Sequence, residues 1–153
     1  MLEDKELQKK LDDIDIEIKN LKVNKNFNFS LSALALVNGA CSLAQSLFFL
    51  FGNANTLKES TTFILADLLV MGISLVVLDF SLNNCKTNKD KISNLKFIKE
   101  YLMLPEDKKY GINDIDDKLP FVDTKEEFDN LKCLKEYLIT GSIKSKTLKQ
   151  RHK

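Results

Sequence analysis

Hydrophobic positions along this chain fall into three patterns. From residue 3 to 25 they are sparse and periodic: Leu7, Leu11, Ile14, Ile18 and Leu21 recur at spacings of 4, 3, 4 and 3 among lysines and carboxylates. That spacing predicts an amphipathic helix with a coiled-coil seam about two heptads long. A helix this short needs something to pack on, and packing within its own chain is the simplest solution. From residue 28 to 82 the pattern changes to two nearly continuous apolar runs. Beyond residue 83 it becomes periodic again, with Leu95, Ile98 and Leu102 forming one stripe and Leu131, Leu134 and Leu138 another. Those two stripes sit in NLKFIKEYL (94–102) and NLKCLKEYL (130–138), which share seven of nine residues at an offset of 36.

The first apolar run, 28–52, would make roughly 37 Å of helix, and the second, 61–82, roughly 33 Å. Each exceeds the ~30 Å hydrocarbon core of a bilayer. Residues 53–60 are the only link between them, so the two runs must fold back on each other. The predicted fold is all-α: a two-helix transmembrane hairpin (28–82) flanked by an N-terminal amphipathic helix (1–27) and a C-terminal helical cytosolic arm (83–153). Within that arm, 105–122 holds both prolines and Gly111 and reads as a loop. The helix after it has a capping start at Thr124 and a stop at Gly141.

The first run carries a seam of small residues, Ser32, Ala35, Gly39, Ser42 and Ser46, at spacings of 3, 4, 3 and 4. Small seams let membrane helices approach closely, so self-association through this seam is the expectation. Asn38 and Gln45 flank it and are expected to face protein or water. Folding the hairpin about residue 56 pairs positions whose numbers sum to about 113, as the helical rise dictates. Gly39 then lies level with Ser74, Ser32 with Ser81, and Gln45 and Ser46 with Asp67. On that register Gln45 is predicted to hydrogen-bond Asp67. A pore lined by Asn38, Gln45 and Asp67 of several copies is the functional alternative.

Charge sharpens the reading. Residues 1–27 carry six lysines and seven acids, and residues 83–153 carry sixteen basic residues and twelve acids. Residues 28–82 carry only Lys58, Glu59, Asp67 and Asp79. Lys19, Lys22 and Lys25 precede the first run and Lys86, Lys89 and Lys91 follow the second, which places both termini in the cytoplasm. Asp67 is a cost of ~2–3 kcal/mol at worst within the second span, less than its leucines, isoleucines and valines supply. The net charge of +1 excludes a strongly basic nucleic-acid binder as the whole-protein reading. The last ten residues, with Lys144, Lys146, Lys149, Arg151 and Lys153, form a small basic tail suited to an anionic leaflet.

Catalytic material is scarce. The one histidine, His152, is next to last. No phosphate-binding glycine loop, nucleophile elbow or zinc-protease motif occurs. Cys41, Cys85 and Cys133 have no metal or disulfide spacing. Asp114, Asp116 and Asp117 lack the calcium-loop pattern. No cofactor, metal or enzymatic role is expected, and no cleavable signal peptide. The reading is an integral membrane protein acting as an interaction or assembly protein. Its partners would be the bilayer, a second copy of itself, and a cytosolic protein held through Leu95, Ile98, Leu102, Leu131, Leu134 and Leu138. An oligomeric pore and a soluble helical protein with a buried hydrophobic hairpin are the alternatives.

Overall fold

The computed structural model of the chain describes residues 2–52 and 57–141. Its elements are α1 (Leu2–Gly52), α2 (Leu57–Leu102), α3 (Ile112–Lys118) and α4 (Lys125–Thr140), with single 3-10 turns at Glu106–Lys108 and Leu119–Phe121. There is no strand among the described residues, as the all-α reading expects.

The arms and the spans are not separate elements. The amphipathic segment and the first apolar run form one helix of 51 residues. The second run and the first short stripe form one helix of 46. The reason is local: residues 22–30 and 83–93 change from charged to apolar or back without a glycine or proline. Asparagines alone, only modestly unfavourable in a helix, do not interrupt it. Two helix ends do coincide with punctuation. α2 ends three residues before Pro105, and α4 ends at Gly141, whose φ of 63° is the left-handed cap conformation. Thr124 Oγ1 accepts the Glu127 N–H at 3.3 Å at the start of α4.

The segment expected to be a loop, 105–122, contains α3. Gly111 N–H donates to Asp114 Oδ2 at 2.7 Å, which caps the first turn of this short helix, and Ile115 supplies its fully buried side chain. One apolar anchor and one local cap override the breaker residues on either side.

The chain divides into two compact units, Met1–Lys22 with Lys89–Lys153, and Val23–Asn88. The first has a core of Ile14 and Ile18 from α1, Leu95, Ile98 and Tyr101 from α2, Ile115 from α3, and Leu131, Leu134 and Tyr137 from α4. The N-terminal seam is therefore spent inside its own chain, with Leu21 packed at its edge. Leu7 and Leu11 are half-buried. The two repeats enter this core alike: Leu95, Ile98 and Tyr101 correspond to Leu131, Leu134 and Tyr137. Their lysines correspond too, Lys99 pairing with Asp15 at 2.6 Å and Lys135 with Asp116.

Candidate functional site

The second unit is the antiparallel pairing of the two apolar runs. Its register can be followed from end to end. Phe49 stacks on Phe63 with ring centroids 5.5 Å apart. Ser46 Oγ donates to Asp67 Oδ2 at 3.4 Å. A Cβ placed on Gly39 would meet Ser74 Cβ at 3.5 Å. Towards the other end, Cys85 Sγ donates to the Lys25 carbonyl at 3.4 Å. The Ser46–Asp67 and Gly39–Ser74 pairs both sum to 113, the register that folding about residue 56 gives.

The face between the helices is built from small polar groups. Ser32, Ala35, Ser42 and Ser46 are buried on α1, and Ser74 and Ser81 on α2. Gly39 and Asp67 are half-buried beside them. Small side chains at helical spacing bring the two backbones close, and hydroxyls satisfy themselves locally, as Ser32 Oγ does by donating to the Asn28 carbonyl at 2.9 Å. Ser81 Oγ is buried without a hydrogen-bond partner. Ser32 and Ser81 thus share a level without bonding each other.

One expectation about this seam is corrected. Asp67 is met by Ser46, not by Gln45. Position 45 lies about 100° around the helix from position 46, and that rotation carries it out of the interhelical face. Gln45 and Asn38 are both exposed. Neither has a hydrogen-bond partner among the described residues, so they do not face protein within this chain. Asp79, exposed near the other end of the hairpin, accepts from Asn83 Nδ2 at 3.2 Å, one helical turn on.

Outside the seam, Asn38, Gln45 and Asp79 apart, the hairpin surface is largely apolar and exposed. Leu34 is 59% exposed, Leu69 64% and Val76 70%. Both helices are long and apolar enough to cross a membrane.

In the first unit, Leu95, Ile98, Leu131 and Leu134 are buried in the core. Only Leu102 and Leu138 of the two expected docking stripes keep part of their surface, so the stripes serve the fold of this unit first. The third buried residue of each repeat is a tyrosine, Tyr101 or Tyr137. The identical KEYL ending of the two repeats carried that signal. Tyr101 Oη donates to the Tyr110 carbonyl at 2.7 Å. Burial pushes its phenol above the ordinary range, with Lys109 opposing and Glu106 and Asp114 assisting. Burial likewise raises the Cys133 thiol, helped by Glu136, Asp129 and Glu17.

An open cleft of about 690 Å³ lies in this unit between aromatic rings (Phe97, Tyr110, Phe121) and charged groups (Asp114, Asp117, Lys118, Glu127). Lys118 Nζ sits over the Tyr110 ring, 3.5 Å from its centre. No group of three or more potential metal ligands occurs among the described residues. The basic tail, His152 and residues 53–56 of the link lie outside the described residues.

The seam offers hydroxyls and one carboxylate, groups suited to holding helices together. No family model, curated protein or solved structure matches this chain, so its function is argued from these residues alone.

Proposed function

We propose that this chain is a small integral membrane protein that acts as a membrane-anchored interaction and assembly protein. Its hairpin crosses the bilayer and its first unit stands on the cytoplasmic side. One observation carries the reading: the hairpin is polar inside and apolar outside. Its buried serines and Asp67 line the interhelical face, while leucines, valines and phenylalanines cover most of the rest. In water that distribution exposes apolar surface far beyond the few hundred Å² a soluble monomer tolerates. In lipid it is the stable arrangement, because the hydrocarbon accepts the leucines and contact between small residues holds the helices together.

The same exposure argues against a soluble protein that hides its hairpin. A pore is less favoured, because the carboxylate set deepest in the spans, Asp67, is engaged by Ser46 within the hairpin. The first unit supplies the interaction part, a helical body with its own core. The lysines flanking the spans support placing both termini inside.

The test is a membrane preparation washed with alkaline carbonate, followed by labelling of single cysteines from outside. The protein stays in the pellet, a cysteine replacing Asn55 reacts with an impermeant maleimide, and one replacing Lys96 does not. Release into the wash would refute the membrane reading; labelling at 96 from outside would reverse the orientation.

A further inference from the structure

The small seam expected to join two copies is used up between α1 and α2. That leaves the outer face of α1 with a feature lipid does not accommodate. Leu34, Asn38, Cys41, Gln45 and Phe48 follow one another at spacings of 4, 3, 4 and 3. All five are exposed. The row lies about 120° around the helix from the buried serines, by the helical repeat of 3.6 residues per turn. Its two amides, Asn38 and Gln45, stand one heptad apart within the span and bond to nothing among the described residues.

We propose that a second copy of this chain docks on this row, α1 against α1, with Asn38 and Gln45 hydrogen-bonding their own counterparts. The proposal rests on the membrane reading above. Three arguments commit it to a second copy. A side-chain amide both donates and accepts, so it is complementary to an identical amide. All copies insert with the same orientation, so their first helices run parallel and place Asn38 level with Asn38 and Gln45 with Gln45. The 4-3-4-3 spacing is that of a heptad seam, in which polar residues at alternate seam positions fix register and copy number. Facing lipid, the same two amides would stand in hydrocarbon without partners.

Cys41 lies midway between the amides on this face and is exposed, so it reports on the contact directly. The full chain carrying Cys85→Ser and Cys133→Ser is reconstituted in phosphatidylcholine vesicles, confirmed as carbonate-resistant, and oxidised with copper phenanthroline. The expected result is a disulfide-linked dimer through Cys41. Asn38→Leu combined with Gln45→Leu should weaken association on dilution with lipid by on the order of tenfold or more. Both positions face away from the hairpin seam, so the double variant keeps its helical content and carbonate resistance. A second chain, with Cys41→Ser and Leu69→Cys, places the thiol on the exposed face of α2 and should cross-link far less.

Protein that is retained in the vesicles but stays monomeric and uncross-linked at Cys41 overturns this inference and leaves the membrane reading standing. Stronger cross-linking at position 69 than at 41 overturns it as well. So does ion leakage from the vesicles without cross-linking at Cys41, because the amides would then face a water-filled lumen. Carbonate-released protein overturns the membrane reading itself.

Discussion

The hydroxyl of Ser46 reaches the carboxylate of Asp67 across the hairpin at 3.4 Å, while the amide of Gln45, one residue earlier, is turned outward. A contact of that length is a weak hydrogen bond by the usual geometry. Interhelical polar contacts in membranes contribute about 0.6 kcal/mol on average. Ser46→Ala should therefore lower hairpin stability by about that amount, because it also keeps the seam small. Gln45→Leu should leave hairpin stability unchanged. Unfolding by steric trapping in bicelles measures both, and a larger loss for Gln45→Leu than for Ser46→Ala would show that Gln45 is the partner of Asp67 after all.

Gly39 faces Ser74 across the seam, and the distance decides how much can be added there. A methyl group would sit at ordinary van der Waals distance from Ser74 Cβ, 3.5 Å away. Gly39→Ala should be tolerated, and helix propensity offsets any small repacking by up to about 1 kcal/mol. Gly39→Leu has nowhere to go without separating the backbones, and overpacking of this kind costs about 1–3 kcal/mol. Gly72 faces open space on α2, so Gly72→Leu serves as the matched control. Protease resistance of the reconstituted hairpin should fall for Gly39→Leu alone.

These contrasts show what the residues alone reveal about the hairpin. Spacing of small residues found the buried face of α1, and a fixed rise per residue found the register, because both follow from helix geometry. The neighbour of Asp67 was missed because residues 45 and 46 share a level and differ only in azimuth, which depends on how each helix is rotated about its axis. The continuity of α1 and α2 was missed for a different reason. A change from charged to apolar composition looks like a boundary, yet a helix stops only where its backbone is interrupted. In the first unit the repeated stripe was visible, but not its use. Leu95 and Leu131 look the same in sequence whether they meet a partner or each other's helices.

The two repeats carry equivalent roles in that core, and their substitutions should match. Ile98 and Leu134 are each fully buried. Ile98→Ala and Leu134→Ala should each cost about 2–5 kcal/mol, the range for emptying such a position. The corresponding ion pairs are partly exposed, with Lys99 and Lys135 each keeping over a quarter of their side-chain surface. Lys99→Met and Lys135→Met should therefore cost less than about 1 kcal/mol. Thermal melts followed by circular dichroism in detergent test the ranking. A core loss seen at one repeat only would mean that the duplication is a coincidence of sequence.

Alkaline pH should weaken the first unit, and the sign follows from its two shifted groups. Tyr101 and Cys133 are neutral when protonated, and burial raises both above their ordinary values of 10.0 and 9.0. Between the ordinary and the raised value the folded state holds a proton that the unfolded state has released. Stability then falls as pH rises, because the unfolded chain binds fewer protons. The contribution of the thiol is complete below about pH 9 and that of the phenol below about pH 10, and each is lost as pH climbs through the folded value. Ionising Tyr101 also removes the hydrogen bond its hydroxyl donates to the Tyr110 carbonyl. Melting temperature recorded from neutral pH upward should decline, and Tyr101→Phe with Cys133→Ala should flatten the decline while lowering the neutral-pH value. An equally steep decline in that double variant would place the sensitive groups elsewhere. Cys133 should also alkylate more slowly than the free thiol at pH 8, in keeping with a smaller thiolate fraction.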